Sequence, residues 1–89
     1  MPEIARFFGI IVRMYAEAGE PHHRPHLHAY AGESTAVLAI DGLEVIAGGL
    51  PRRQERLLLA WAELHSDELV RNWMRLQEGR PTVPIDPLR

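Results

Sequence analysis

The chain has 89 residues, 46% of them hydrophobic and 25% charged, which leaves room for one domain spanning 1–89 and argues against disorder. It contains no cysteine, so disulfides, Fe–S clusters and thiolate zinc sites are excluded, and no apolar run approaches the ~18 residues of a membrane span. The formal charge is −2 and all ten basic residues are Arg, which argues against strong nonspecific duplex binding but leaves room for a local Arg patch on phosphates.

The start MPEIARFFGIIVRMY lacks a basic leader followed by a small-residue cleavage site, so the expectation is a cytosolic protein. Residues 9–16 are β-branched and apolar, alternating at Ile10, Val12 and Met14, and read as a strand. A loop over 17–25 follows, broken by Gly19, Pro21 and Pro25. Residues 26–31 form a second strand, Gly32-Glu33 a turn, residues 34–40 a third strand and residues 43–48 a fourth. Asp41-Gly42 between the last two is a type I′ hairpin signal.

These turns predict a register. Asp41-Gly42 sets Ile40 opposite Leu43, Leu38 opposite Val45 and Ala36 opposite Ala47, while Gly32-Glu33 sets Leu27 opposite Leu38 and Ala29 opposite Ala36. Both place apolar residues on one face, which points to a four-stranded antiparallel meander over 9–48. The opposite face then carries Tyr30, Thr35, Val37, Ala39, Glu44 and Ile46, joined by Arg13 and Tyr15 if the first strand pairs with the second.

Pro51 suits a helix start. Leu57, Leu58, Trp61, Leu64, Leu69, Trp73 and Leu76 recur near helical spacing up to Gly79 and Pro81. The spacing predicts a helix over 51–78 covering the Leu27/Leu38/Val45 face. Ser66-Asp67-Glu68 offers a second cap, so a break near His65-Ser66 stays open beside one continuous helix. Residues 80–89, with Pro81, Pro84 and Pro87, read as an extended tail. The class expected is α+β.

Four of the five histidines fall in Pro21-His22-His23-Arg24-Pro25-His26-Leu27-His28. His26 and His28, two apart on a strand, project from one face, turned away from the Trp-bearing helix, and His23 can fold back over them from the loop. Three imidazoles so placed can hold a divalent ion such as zinc, nickel or copper and leave a coordination position open. The same face gathers Arg13, Tyr15 and Tyr30, a set able to cleave RNA without metal. One His takes the 2′-OH proton, the other protonates the leaving oxygen, and Arg13 steadies the phosphorane. The competing readings are a solvated His–Pro loop and a half-exposed sheet face packed beneath the Pro-rich tail. Arg52 and Arg53, with Arg56 one turn on, form a basic cluster that can grip phosphate or simply stay solvated. His65 reads as a hydrogen-bonded core or kink residue, and Trp61 and Trp73 as core.

PEIARFFGIIVRMY, then His-x-Pro-His-x-His (His23, Pro25, His26, His28), then GLPRR and WAELHSDELVRNW resemble the bacterial family catalogued as domain of unknown function 4160, in the same order from Pro2 to about Leu88. The resemblance implies a small cytosolic α+β protein encoded beside a small partner protein, an arrangement like a toxin–antitoxin pair. It also implies that His22 matters less than the other three histidines. Three functions follow for test: a toxin–antitoxin component acting on RNA through the His face, a divalent-metal-binding protein or metal-dependent hydrolase using His23, His26 and His28, and a non-catalytic interaction module. The half-apolar outer face (Ile11, Val37, Ile46) also offers a homodimer interface.

Overall fold

The structure, a computed structural model, describes residues 3–15 and 24–89. Five strands, β1 (Glu3–Phe7), β2 (Ile10–Arg13), β3 (His26–Ala31), β4 (Ser34–Ala39) and β5 (Glu44–Gly48), precede two helices, α1 (Arg52–Leu64) and α2 (Ser66–Gln77). The strands form one sheet in the order β1-β2-β3-β4-β5, and each neighbouring pair is antiparallel. The α+β class and the meander stand, with one strand more than the sequence pattern indicated.

The added strand, β1, breaks the alternation that marks a strand. A register shift between Glu3 and Ala5 turns Ile4 and Ala5 both inward, where they are 1% and 7% exposed. A bulge of this kind hides the period of two. The β1–β2 turn is Phe8-Gly9, with φ of 47° and 78°, two successive positive values as a type I′ turn requires. Phe is a poor residue for that conformation, so the turn carries no ordinary hairpin signature.

At the β3–β4 hairpin, Leu27 faces Leu38 and Ala29 faces Ala36, as the turn residues predict. Gly32 carries positive φ, 60°, at the first central position. The β4–β5 connection corrects the expected type I′ turn. One step beyond the His26–Ala39 pair the Ile40 amide donates to the Pro25 carbonyl (3.0 Å), so it faces the β3 side and not Leu43. Residues 40–43 make the turn, and Leu43 rather than Gly42 takes positive φ, 51°. Leu38 still faces Val45, but a register shift beyond it pairs Val37 with Ala47 and Ala36 with Gly48. Ala36 opposite Ala47 is therefore not formed, because Ile46 is bulged out and 45% exposed. Gly48 answers to a close approach as well. Its φ is +66°, and a Cβ there would strike the Thr35 carbonyl oxygen.

One sheet face, with Ile10, Val12, Met14, Leu27 and Leu38 fully buried, packs with Leu58, Trp61 and Leu69 of the helices into a single core. The ring centroids of Phe7 and Trp61 lie 5.1 Å apart. The helix breaks at His65 (φ −115°, ψ 26°), which is the cap position of α2. The His65 Nδ1–H donates to Glu68 Oε1 at 2.6 Å, a side-chain link between the break and the first turn of α2. Leu64, expected in the core, is the last residue of α1 and is 71% exposed.

The tail is extended but docked. The buried Trp61 indole Nε1 donates to the Asp86 carbonyl (2.8 Å), and the Ile85 amide donates to the Ile4 carbonyl of β1 (2.8 Å). Asn72, 2% exposed, both donates to and accepts from the Val83 backbone at 2.8 Å. The tail thus lies against α1, α2 and β1. Among the described residues, no helix is long and apolar enough to cross a membrane.

Candidate functional site

Strand alternation sends Ile11, Arg13, His26, His28, Tyr30, Thr35 and Val37 to the face away from the core. Two cross-strand rows order it: Ile11–Tyr30–Thr35 and Arg13–His28–Val37. Arg13, Tyr15, His26, His28 and Tyr30 are all half-buried there. The structure therefore brings together four candidates from separate strands and loops, Arg13, Tyr15, His26 and His28, together with Tyr30.

The rings form a chain. Tyr15 stacks on His28 with centroids 4.7 Å apart and planes 13° off parallel. His28 meets His26 edge-on at 5.3 Å. His26 in turn meets Trp73 of α2 at 5.2 Å. This last contact corrects the expectation that the histidine face lies clear of the helices. α2 starts afresh after His65, which lets Trp73 reach His26 while still packing against the core. Sequence spacing alone could place Trp73 only on the core stripe.

Arg13 is the most unusual group. Its Cζ lies 5.4 Å from the Tyr30 ring centroid, within cation–π range. Its Nε is buried and has no hydrogen-bond partner among the described residues. Its cross-strand neighbour Glu3 is bonded instead to Arg6, at 2.7 Å. That hydrogen bond, first, and the charges of Arg6 and Arg13 after it hold the Glu3 carboxyl below its ordinary value. Arg24 behaves oppositely. It bonds Glu44 and Asp41, both at 2.7 Å, which hold its guanidinium still more firmly protonated and tie the 40–43 turn to the entry of β3.

The His26 Nδ1–H donates to the Arg24 carbonyl (2.8 Å). In the neutral ring that bond leaves the lone pair on Nε2, the arrangement suited to a base or a metal ligand. His22 and His23 lie outside the described residues, so the third proposed ligand cannot be placed beside His26 and His28. Among the described residues no group of three His, Cys, Asp or Glu side chains is set to hold a metal ion.

Beside His28 and Tyr30 the outer face sinks into a depression of about 190 Å³, reaching Thr35, Val37 and Gly48. The β5 bulge shapes its far wall, by setting Ala47 opposite Val37. Only the Gly48-Gly49 pair hinted at it in the sequence. Arg52 and Arg53 stand apart from this cluster, exposed at the start of α1, where Pro51 supplies no side-chain cap.

A five-stranded meander backed by two helices, with a cationic, aromatic and imidazole-bearing outer face, is thus the class of protein at hand. Residues 9–74 match the family described as Domain of unknown function (DUF4160), and the chain belongs to that family. No curated protein and no solved structure matches it.

Proposed function

We propose that the protein binds RNA on the outer sheet face and cleaves its phosphodiester backbone, as the active member of a toxin–antitoxin-like pair with a small partner protein. The observation that supports this most is Arg13. A guanidinium seated over Tyr30 and opposite His28, whose Nε has no hydrogen-bond partner among the described residues, offers a positive charge suited to a phosphate oxygen.

In this reading His26 Nε2 takes the proton of the 2′-OH as the 2′-oxygen bonds to phosphorus. The bond to the 5′-oxygen breaks, and His28 supplies that oxygen's proton. The products are a 2′,3′-cyclic phosphate and a 5′-hydroxyl end. Arg13 balances the charge that builds on the non-bridging oxygens. General acid–base groups contribute typically 10²–10⁴-fold. His28→Ala and Arg13→Gln are therefore each expected to lower cleavage of a single-stranded RNA by at least about 100-fold with an unchanged circular-dichroism spectrum, and His28→Ala to relieve growth arrest on expression. Cleavage at the wild-type rate by both variants, or none by the wild type, removes the reading.

A second reading has one observation of its own. The His26 Nδ1 bond to a backbone carbonyl is the outer-shell contact that orients metal-ligating imidazoles. It expects stoichiometric zinc, nickel or copper in untagged protein, lost in His26→Ala.

A further inference from the structure

Three arginines at the start of α1 differ from most others in the chain. Arg6 is paired with Glu3, Arg24 with Asp41 and Glu44, and Arg80 with Glu78, while Arg75 donates to the Pro81 carbonyl. Arg52, Arg53 and Arg56 have no ion-pair or hydrogen-bond partner among the described residues. Together with Leu57 they line an open bowl of about 560 Å³. The only acidic residue in the first turn, Glu55, turns towards Gly49, where a Cβ would stand 3.8 Å from its Oε1.

Cations gathered here are unfavourable for the helix itself. The partial positive charge of a helix start favours acids in the first turn, and the three guanidiniums also repel one another. Among the described residues Glu55 offsets part of that cost, and a bound polyanion would offset more. The bowl is also close to the outer face along the chain. Gly48 lines the depression beside His28 and Tyr30, and the four residue steps from Gly48 to Arg52 span at most about 14 Å. Gly48 and Gly49 are exposed and carry no side chain, so the first part of that stretch is bare backbone.

We infer that Arg52, Arg53 and Arg56 form a second phosphate-binding subsite that holds the backbone of single-stranded RNA several nucleotides away from the phosphate at Arg13, with the strand passing over Gly48 and Gly49. This rests on the RNA-cleaving reading for its ligand, and it sets the substrate class as an oligonucleotide strand rather than a dinucleotide or a free nucleotide.

The test compares a fluorescent single-stranded RNA of about twelve nucleotides with a dinucleoside monophosphate, by binding between about 50 and about 200 mM salt. The variants are Arg52→Gln/Arg53→Gln/Arg56→Gln and, with the same change of charge elsewhere, Arg6→Gln/Arg80→Gln/Arg89→Gln. Each phosphate contact on a single strand contributes about 0.7 to the salt slope, so three contribute about 2, equivalent to about 100-fold in affinity at about 0.1 M salt. The first variant is expected to lose that factor for the long RNA relative to the dinucleotide and to show the shallower slope. The second keeps the wild-type slope. Equal losses in both variants, or none in the first, overturn the subsite while dinucleotide cleavage by the wild type keeps the catalytic reading. Long-RNA binding that depends on Arg52, Arg53 and Arg56 without any cleavage supports the subsite and removes the catalytic reading. Absence of RNA binding by the wild type overturns both.

Discussion

Asn72→Asp tests whether the docked tail is an integral part of the fold. Asn72 is 2% exposed and joins Val83 by two hydrogen bonds of 2.8 Å, one given and one received. Aspartate has nearly the same shape but, when ionised, cannot donate to the Val83 carbonyl, and it sets a buried negative charge against that oxygen. Losing the hydrogen bond costs about 1 kcal/mol and the unsatisfied buried group a further 1–3 kcal/mol or so. The total, about 2–4 kcal/mol, lowers Tm by roughly 10–25 °C in a domain of this size. The sign with pH is fixed. The buried carboxyl has a raised folded-state pKa, so the native state binds more protons than the unfolded state at mildly acidic pH. The deficit therefore shrinks as pH falls from 7 towards the unfolded value of about 3.9, where a protonated carboxyl can donate to Val83. Urea melts of both proteins at several pH values read this directly. A loss below about 0.5 kcal/mol that stays flat with pH would show that residues 80–89 are not held by this side chain.

Gly48→Ala should cost at least about 2 kcal/mol in urea unfolding, since it adds positive-φ strain and drives a Cβ onto the Thr35 carbonyl oxygen. Phe8→Asn should do the reverse. Phe8 is 48% exposed with φ 47°, and Asn is favoured there in a type I′ turn, so a gain of about 0.5–1 kcal/mol is expected in thermal melts. The Glu3 carboxyl, held low by Arg6, contributes stability that is present above 4.5 and lost as pH falls through its lowered value. Glu3→Gln should leave a slightly flatter acid limb in a stability–pH curve, a small effect because the pair is exposed.

What was legible in the sequence follows from where local rules dominate. Leu27 opposite Leu38 and Ala29 opposite Ala36 were readable because a two-residue Gly turn and a strict alternation agree. β1 was not, since its bulge at Ile4 destroys the period and its turn uses Phe where Asn or Asp is usual. The Asp41-Gly42 signal misled because the Ile40 amide is turned to the Pro25 carbonyl on the β3 side, a cross-strand bond that turn propensity alone does not anticipate. At the site, the shared face of Arg13, His26, His28 and Tyr30 was legible from alternation and pairing alone. The Trp73–His26 contact was not, because it depends on the break at His65.

Net charge also reads differently once partners are known. A formal charge of −2 argues against a broad positive field, but the field that a ligand meets is local, screened beyond about 10 Å at 0.1 M salt. Glu3, Asp41, Glu44 and Glu78 all lie within ion-pair distance of an arginine of the chain. Their charge is largely answered where it sits. Arg52, Arg53 and Arg56 beyond Gly48 have no acid within ion-pair distance among the described residues, and Arg13 on the outer face feels only the charge of Glu3, which is itself bonded to Arg6. An acidic chain can in this way present two cationic surfaces. It also follows that raising salt should weaken anion binding at the exposed bowl more than at the half-buried Arg13, because a desolvated charge is screened less than an exposed one.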